Sequence, residues 1–223
     1  MDPANPKPAL QPTREFWVTF EKLDSDLVEL HADWQLFKQL YGKSSLRVDL
    51  LNKVAASFFT RLQWIMLRDV LISISRLLDP PRMRRSENLV LERLVEQLNG
   101  SAHAQLKAVL VGKLNSGRAT AKPLQTYRHK RVAHRDKEVA VGLEALPGIS
   151  RLLIEDSLSA IRDFMNTIQL HFRDSTTAWE HTSMLADGNV LVSALKRSLA
   201  YSALVKEGTI PRTPLKQLPF GDA

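Results

Sequence analysis

Residues 16–41 read FWVTFEKLDSDLVELHADWQLFKQLY, and the apolar positions in this stretch recur with great regularity. The spacing alternates between four and three residues, which places these side chains on one stripe of a helix: Phe16, Phe20, Leu23, Leu27, Leu30, Trp34, Phe37 and Tyr41. Thr13 is the expected N-cap of this helix, and Gly42 is the expected stop. The pattern predicts a first long helix with one buried face.

The remainder of the chain continues the helical pattern. A second long helix is expected at 44–78, because Pro80 disfavours the helical conformation for Asp79. Its apolar seam is expected to run through Leu51, Ala55, Phe58, Leu62 and Ile65. Shorter helices are expected at 88–98, 101–114 and 121–135, a long helix after the loop at 142–148, and a last helix at 189–206. The long helix carries a stripe of Ile154, Leu158, Ile161, Met165, Ile168 and Phe172.

No segment shows sustained period-two alternation, so no strand is predicted. The expected fold is all-α, a bundle of two long antiparallel helices, short helices with a basic motif, a long return helix and a C-terminal helix. Prolines concentrate at both ends of the 223 residues, which predicts extended tails there. The expected organisation is a tail at 1–12, a helical domain at 13–175, a helical extension at 176–207 and a second tail at 208–223.

Composition excludes several classes of protein. There is no cysteine, which rules out disulfide scaffolds, zinc fingers and thiol nucleophiles. The N-terminal residues lack the apolar stretch of a secretory signal, and no apolar run is long enough to span a bilayer, so a cytoplasmic protein without membrane contact is expected. Asp24 and Asp26 point in different directions on a helix, and no metal-binding motif is present. Neither a metal nor a cofactor is expected.

The charge is concentrated in one segment. The chain has a formal charge of +7, and between Arg118 and Lys137 seven Lys and Arg residues stand against the single acid Asp136. Such a run is most often a solvated helix face. Like charges this dense repel one another, however, and a phosphate partner would relieve that cost. A second basic group, Arg82, Arg84 and Arg85, follows Pro80 and Pro81.

Arg128 and His134 offer the chemistry for RNA cleavage. Histidine titrates near neutral pH and can take a proton from a ribose 2′-OH or give one to a leaving 5′-oxygen. Arginine offers paired donors to the phosphoryl oxygens. On an ideal helix the two side chains point about 120° apart, so convergence requires a bend or a second copy of the helix across a two-fold axis. For His129, which should point away from His134, no role is favoured.

The second helix offers partners for the basic segment. Asp69, Arg76 and Asp79 follow the 3-4 spacing of its apolar seam, and charged side chains are rarely buried unless they are paired. An ion pair that closes the end of the core is favoured for Asp69. For Asp79 the alternatives are such a pair or a contact that orients an arginine or histidine of the basic helix.

Two segments resemble a known family. Tyr127-Arg128-His129-Lys130-Arg131-Val132-Ala133-His134-Arg135-Asp136 is similar to the HEPN superfamily motif of Arg, a polar residue and, a few residues on, His. This segment and the second-helix stretch that ends Arg76-Leu77-Leu78-Asp79-Pro80 together resemble the abortive-infection AbiU-type branch, over residues 15 to 175.

The resemblance implies a homodimer in which the motif helices meet, and a metal-independent endoribonuclease that leaves a 2′,3′-cyclic phosphate. It also implies a toxin or antiphage-defence effector, with an antitoxin as a further partner. Arg128 and His134 correspond to the motif residues, and His129 to the polar neighbour. The candidate supporting or RNA-binding residues are Tyr127, His129, Lys130, Arg131, Arg135, Asp69, Arg76 and Asp79.

Two alternatives stay open at the level of sequence. One is a non-catalytic HEPN module that binds RNA or a protein partner through the same basic surface. The other is a purely structural helical dimer, assembled through the apolar seam at 16–41, in which the charge is incidental.

Overall fold

The computed structural model describes residues 11–83, 86–133, 137–140, 146–211 and 213. Most of this part of the chain is helical, which confirms the all-α prediction. In chain order the α-helices are α1 (Arg14–Phe37), α2 (Ser45–Leu78), α3 (Leu91–Gln97), α4 (Ala104–Tyr127), α5 (Lys137–Ala140), α6 (Arg151–Arg173) and α7 (Gly188–Lys206). Among the described residues, no helix combines the length and apolarity that a bilayer crossing requires.

Helix α1 follows its predicted pattern closely. The Thr13 hydroxyl accepts a hydrogen bond from the backbone N–H of Phe16 at 3.3 Å, as expected of an N-cap. The predicted stripe is buried from Phe16 to Trp34. Beyond that point a π-helical turn, Lys38–Gly42, replaces the regular helix. The wider turn shifts the register of the residues within it, so Leu40 is buried in place of the predicted Tyr41. Phe37, which precedes the turn, is only partly buried.

Helix α2 has the predicted extent but buries a different face. It bends at Ala55, where φ is −158° and ψ is 74°. The seam predicted beyond this bend is wrong, because Phe58 and Ile65 are 61% and 48% exposed. The buried side chains of α2 after the bend are Phe59, Val70, Leu71, Ile74, Ser75, Leu77 and Leu78. A strict periodic extrapolation from Leu51 therefore follows the wrong side of the helix.

A short hairpin after α2 corrects the prediction that the chain has no strand. Strands β1 (Arg82–Met83) and β2 (Ser86–Glu87) pair antiparallel, with Arg82 opposite Glu87. Two residues per strand are too few to show an alternating pattern. Arg84 and Arg85 lie outside the described residues.

Helix α4 is one element where the sequence predicts two. It runs through the predicted break between 114 and 121 and contains Pro123 in its last turns. Proline removes one backbone hydrogen bond from a helix interior. Packing compensates for this loss, because the buried side of α4 forms a continuous stripe across the predicted break: Leu106, Leu110, Leu114, Gly117, Ala121 and Leu124.

The described residues separate into two compact units. The first lies within Met1–Gln35 and Ile65–Thr182, and the second within Leu36–Trp64 and Ser183–Ala223. The domain boundaries predicted at 12, 175 and 207 stay a prediction.

In the first unit, long helices pack in antiparallel pairs. Asp26 on α1 forms an ion pair with Arg76 on α2 at 3.3 Å, while Asp33 contacts Asp69. Residues later in α1 therefore meet residues earlier in α2, which confirms the antiparallel prediction. Helices α4 and α6 are also antiparallel, since Gly117 faces Ala160 and Lys113 pairs with Asp163. Every residue of the predicted α6 stripe is buried.

In the second unit, the start of α7 docks on the π-helical turn. Asp187 caps α7 by accepting hydrogen bonds from the backbone N–H groups of Asn189 and Val190, at 2.9 and 3.3 Å. The Gln39 side chain donates to the Asp187 carboxylate at 2.8 Å and accepts from the Gly188 N–H at 2.9 Å. The side-chain hydrogen bond from Asn189 lowers the pKa of Asp187, with further help from the capped backbone.

Candidate nucleic-acid groove

The end of α2 anchors the candidate catalytic arginine. Asp79 directly follows the last residue of α2, and its carboxylate accepts two hydrogen bonds from Arg128: Nη1 to Oδ2 at 2.9 Å and Nη2 to Oδ1 at 3.3 Å. The side chains are only 24% and 17% exposed. A two-point pair of this kind fixes the plane of the guanidinium as well as its position. The contact combines the two alternatives for Asp79, because it is an ion pair at the end of α2 and its partner is the arginine of the basic segment.

An arginine within α4 binds the same end of α2. Arg118 donates to the backbone carbonyls of Leu78 and Asp79, at 2.9 and 3.2 Å, and to the Glu92 carboxylate at 2.6 Å. The last carbonyls of a helix have no partner within the helix, and they attract positive charge. Arg118 and Arg128 thus hold α4 against the C-terminal end of α2, which sets the position of the basic segment.

The motif itself lies on a π-helical turn. The α-helical geometry of α4 ends at Tyr127, and Arg128–Ala133 form a π-helical segment. Single π-turns inside helices occur frequently at functional sites, since they re-aim the side chains that follow. The sequence predicts that Arg128 and His134 converge only through a bend or through a second copy of the helix, and of this the structure shows only that regular α-helical geometry ends before Arg128. His134 and Arg135 lie outside the described residues.

A groove with a volume of about 420 Å³ opens beside Arg128. It is lined by Asp79, Lys122, Gln125, Thr126, Arg128, His129 and Lys130. His129, for which the helical projection favoured no role, thus lies on the same groove as Arg128. Arg131 is exposed and Tyr127 is partly buried, and neither lines the groove.

Three of the lining residues are not among the site residues predicted from the sequence: Lys122, Gln125 and Thr126. Helical spacing could have identified them. Intervals of three or four residues separate Lys122 from Gln125 and Thr126, and these two from His129, so all of them share one side of a helix. The predicted helix at 121–135 contains these positions, but the site residues of that helix were taken from the motif, which begins at Tyr127.

Two predicted supporting residues lie away from the groove. Arg76 is paired with Asp26 on α1. Asp69 contacts another acid, Asp33, and forms no ion pair with a described residue, so the ion pair predicted for Asp69 is wrong. Burial raises the pKa of Asp33 above its ordinary value of 3.8, and the carboxylates of Asp69 and Glu29 raise it further. These acids lie where α1 packs on α2. Within the described residues, no group of three or more His, Asp or Glu side chains is arranged to hold a metal ion.

An all-α bundle with a basic helix end anchored on its neighbour defines the class of the protein as a HEPN-like helical module. The HEPN_AbiU2 family model, described as AbiU2, matches residues 15–190. The chain therefore belongs to the HEPN_AbiU2 family, a family of abortive-infection HEPN modules, and the resemblance inferred from the motif is confirmed. Comparisons with curated proteins and with solved structures gave no match.

Proposed function

We propose that the protein is a metal-independent endoribonuclease that acts as a toxin or antiphage-defence effector in the cytoplasm. The observation that supports the proposal most strongly is the position of Arg128 on a basic groove, paired with Asp79. In a chain of the AbiU2 family, the motif arginine lies on a basic groove and is held in one orientation by Asp79. Positively charged grooves that follow a nucleic-acid backbone supply most of the affinity for a single strand.

The donors of Arg128 suit a phosphodiester. A guanidinium has five N–H groups, and two of them go to Asp79. The other N–H groups of Nη1 and Nη2 are not used by Asp79, and the Arg128 side chain is 24% exposed and lines the groove. A phosphoryl oxygen in the groove can accept from them, and the interaction strengthens as negative charge develops in the transition state.

Histidine side chains carry out the proton transfers in this proposal. In the proposed reaction the ribose 2′-oxygen attacks the neighbouring phosphorus and loses its proton to His134, and the bond between phosphorus and the 5′-oxygen breaks. The leaving 5′-oxygen receives a proton from an imidazolium, and the product strand ends in a 2′,3′-cyclic phosphate. His134 is given this role because it occupies the histidine position of the family motif. His129 supplies a second imidazole on the groove.

The active form that we propose is a homodimer. Two copies related by a two-fold axis would bring two sets of motif side chains to one phosphodiester, with one imidazole as base and the other as acid. An antitoxin that covers the groove is a further proposed partner, and it would have to present negative charge to match the basic residues there.

Cleavage of single-stranded RNA in EDTA tests the proposal. The wild-type chain and Lys22→Gln, a change at an exposed lysine of α1, should cleave equally, whereas His134→Ala should lose cleavage and keep its helical circular dichroism. Equal cleavage by His134→Ala, or cleavage that requires a divalent metal, would count against the proposal.

A non-catalytic HEPN module that binds RNA is the second candidate function. It is favoured by the engagement of Arg128 with Asp79, because a guanidinium already neutralised by a carboxylate can serve as a structural residue. RNA binding by the wild-type chain without any cleavage in EDTA would select this candidate.

A further inference from the structure

The outward side of α2 carries an exposed stripe that is apolar at its centre and charged at its edges. Ile65 and Ile72 are 48% and 37% exposed. Seven residues separate them, which places them within about 20° of each other around the helix and about 10 Å apart along it. Arg68 and Asp69 are exposed and lie between them, at about 50° to either side. These four residues form the α2 stripe, with one cationic and one anionic edge.

The charges on both edges of the α2 stripe lack opposite partners. Arg68 forms no ion pair with a described residue. On the other edge Asp69 contacts Asp33 of α1, which is also an acid. Burial raises the pKa of Asp33, and repulsion from Asp69 and Glu29 raises it further. None of these three acids forms an ion pair with a described residue, so a cation from another molecule would relieve their repulsion.

A second copy of the α2 stripe supplies the missing charges. When a two-fold axis runs along α2, the two helices pack in the same direction and opposite edges meet. Arg68 of one protomer then faces the partner's Asp69, and Asp69 faces the partner's Arg68, while each isoleucine packs on its counterpart. An axis perpendicular to α2 would instead set arginine against arginine and aspartate against aspartate, which like-charge repulsion disfavours.

The parallel arrangement also determines where the two candidate sites lie. Asp79 follows Ile72 by seven residues, about 10 Å further in the same direction, and its carboxylate holds Arg128. Because the two α2 helices run in the same direction, both pairs of Asp79 and Arg128 lie at one end of the interface. The proposed homodimer requires such a geometry, since motif side chains of both protomers must reach one phosphodiester.

The other surface considered for a dimer is the apolar seam of α1. That seam is buried within the chain from Phe16 to Trp34. A dimer through it would require the core to open, whereas the α2 stripe is exposed as it stands.

We infer that the chain forms a parallel two-fold homodimer through the α2 stripe, with Ile65 and Ile72 at the centre of the interface. Arg68 pairs with the partner's Asp69 on each side. This interface rests on the proposed function in that it gives a surface to the homodimer proposed there. None of its residues belongs to the family motif.

Charge reversal tests the interface in the full chain. Sedimentation equilibrium between about 1 and 100 µM measures the dimer dissociation constant. Arg68→Asp and Asp69→Arg should each raise that constant on the order of a hundredfold, because each change sets like charges against each other twice in the symmetric dimer. An equimolar mixture of the two variants should form dimers again, because one protomer then carries two acids on its stripe and the other carries two arginines.

Matched controls use exposed residues of other helices. Ile65→Asp should weaken the dimer, whereas Leu170→Asp, at a leucine of α6 that is 56% exposed, should not. Lys196→Asp reverses an exposed charge on α7 and should dimerise like the wild type. Circular dichroism checks that each variant keeps its helices, and recovery in the mixture shows directly that the two reversed chains are folded.

The outcomes separate this interface from the nuclease proposal. A wild-type chain that stays monomeric at about 100 µM, single reversals that dimerise as tightly as the wild type, or a mixture that stays monomeric overturns the interface. If natural RNA is cleaved in EDTA while one of these results holds, the nuclease stands without the interface. If the mixture recovers and natural RNA is never cleaved, the interface stands and the nuclease proposal fails.

Discussion

The ion pair between Arg128 and Asp79 makes a quantitative prediction for Asp79→Asn. The substitution keeps the shape of the side chain and one acceptor oxygen but removes its charge. Breaking a fully buried pair costs about 3–5 kcal/mol, and an exposed pair contributes about 0–1 kcal/mol. With side chains 24% and 17% exposed, this pair lies between the two cases, so we expect a loss of about 2 kcal/mol in the free energy of unfolding.

Chemical denaturation followed by circular dichroism measures this loss. For a chain of this size, about 2 kcal/mol corresponds to a fall in Tm of roughly 4–8 °C. A double-mutant cycle with Arg128→Gln isolates the coupling, which should account for most of the effect. The matched control is Asp163→Asn, which breaks the pair with Lys113 between α4 and α6, where Asp163 is 59% exposed. It should change stability by less than about 0.5 kcal/mol. A coupling near zero between Asp79 and Arg128 would refute the anchoring of the motif arginine.

Three further predictions follow from other contacts. Because the pKa of Asp33 is raised in the folded state, its ionised carboxylate costs stability above that raised pKa and costs nothing well below the ordinary value of 3.8. Asp33→Asn should therefore raise Tm at pH 7, and the gain should vanish as the pH is lowered to about 3 in a series of thermal melts. A Cβ at Gly117 would meet Ala160 at 3.5 Å, an ordinary contact, so Gly117→Ala should raise the unfolding free energy by about 0.5–1 kcal/mol in urea titrations, and a loss would show that the α4–α6 packing is tighter than described. Arg131→Ala should weaken RNA binding with a salt slope reduced by about 0.7, and an unchanged slope would remove this exposed residue from the interface.

The helices were predictable from the sequence where apolar spacing was regular. The stripes of α1 and α6 repeat without interruption, and the structure buries them as predicted up to Trp34 and through Phe172. The prediction failed where the backbone leaves α-helical geometry. A bend at Ala55 and a wide turn at Lys38–Gly42 each change which face is buried. No glycine or proline lies near Ala55, and Gly42 predicts the end of a helix but not the wide turn that precedes it.

The candidate site was predictable in its chemistry but not in its assembly. The density of charge and the motif pointed to Arg128, because few other segments combine these residue types. The contact with Asp79 depends on how α4 meets the end of α2, forty-nine positions earlier in the chain, which periodicity alone does not fix. Lys122 and Gln125 were missed because the site residues of this segment were taken from the motif, which begins at Tyr127.

The origin of the attacking oxygen offers the most direct test of the proposed function. An RNA whose cleaved position carries a single 2′-deoxy nucleotide is incubated with the full chain in EDTA, next to the all-ribose RNA. Cleavage at that one phosphodiester should disappear, while the all-ribose strand should be cut there and end in a 2′,3′-cyclic phosphate. Equal cleavage of the deoxy-substituted strand at the same bond would contradict the proposed function.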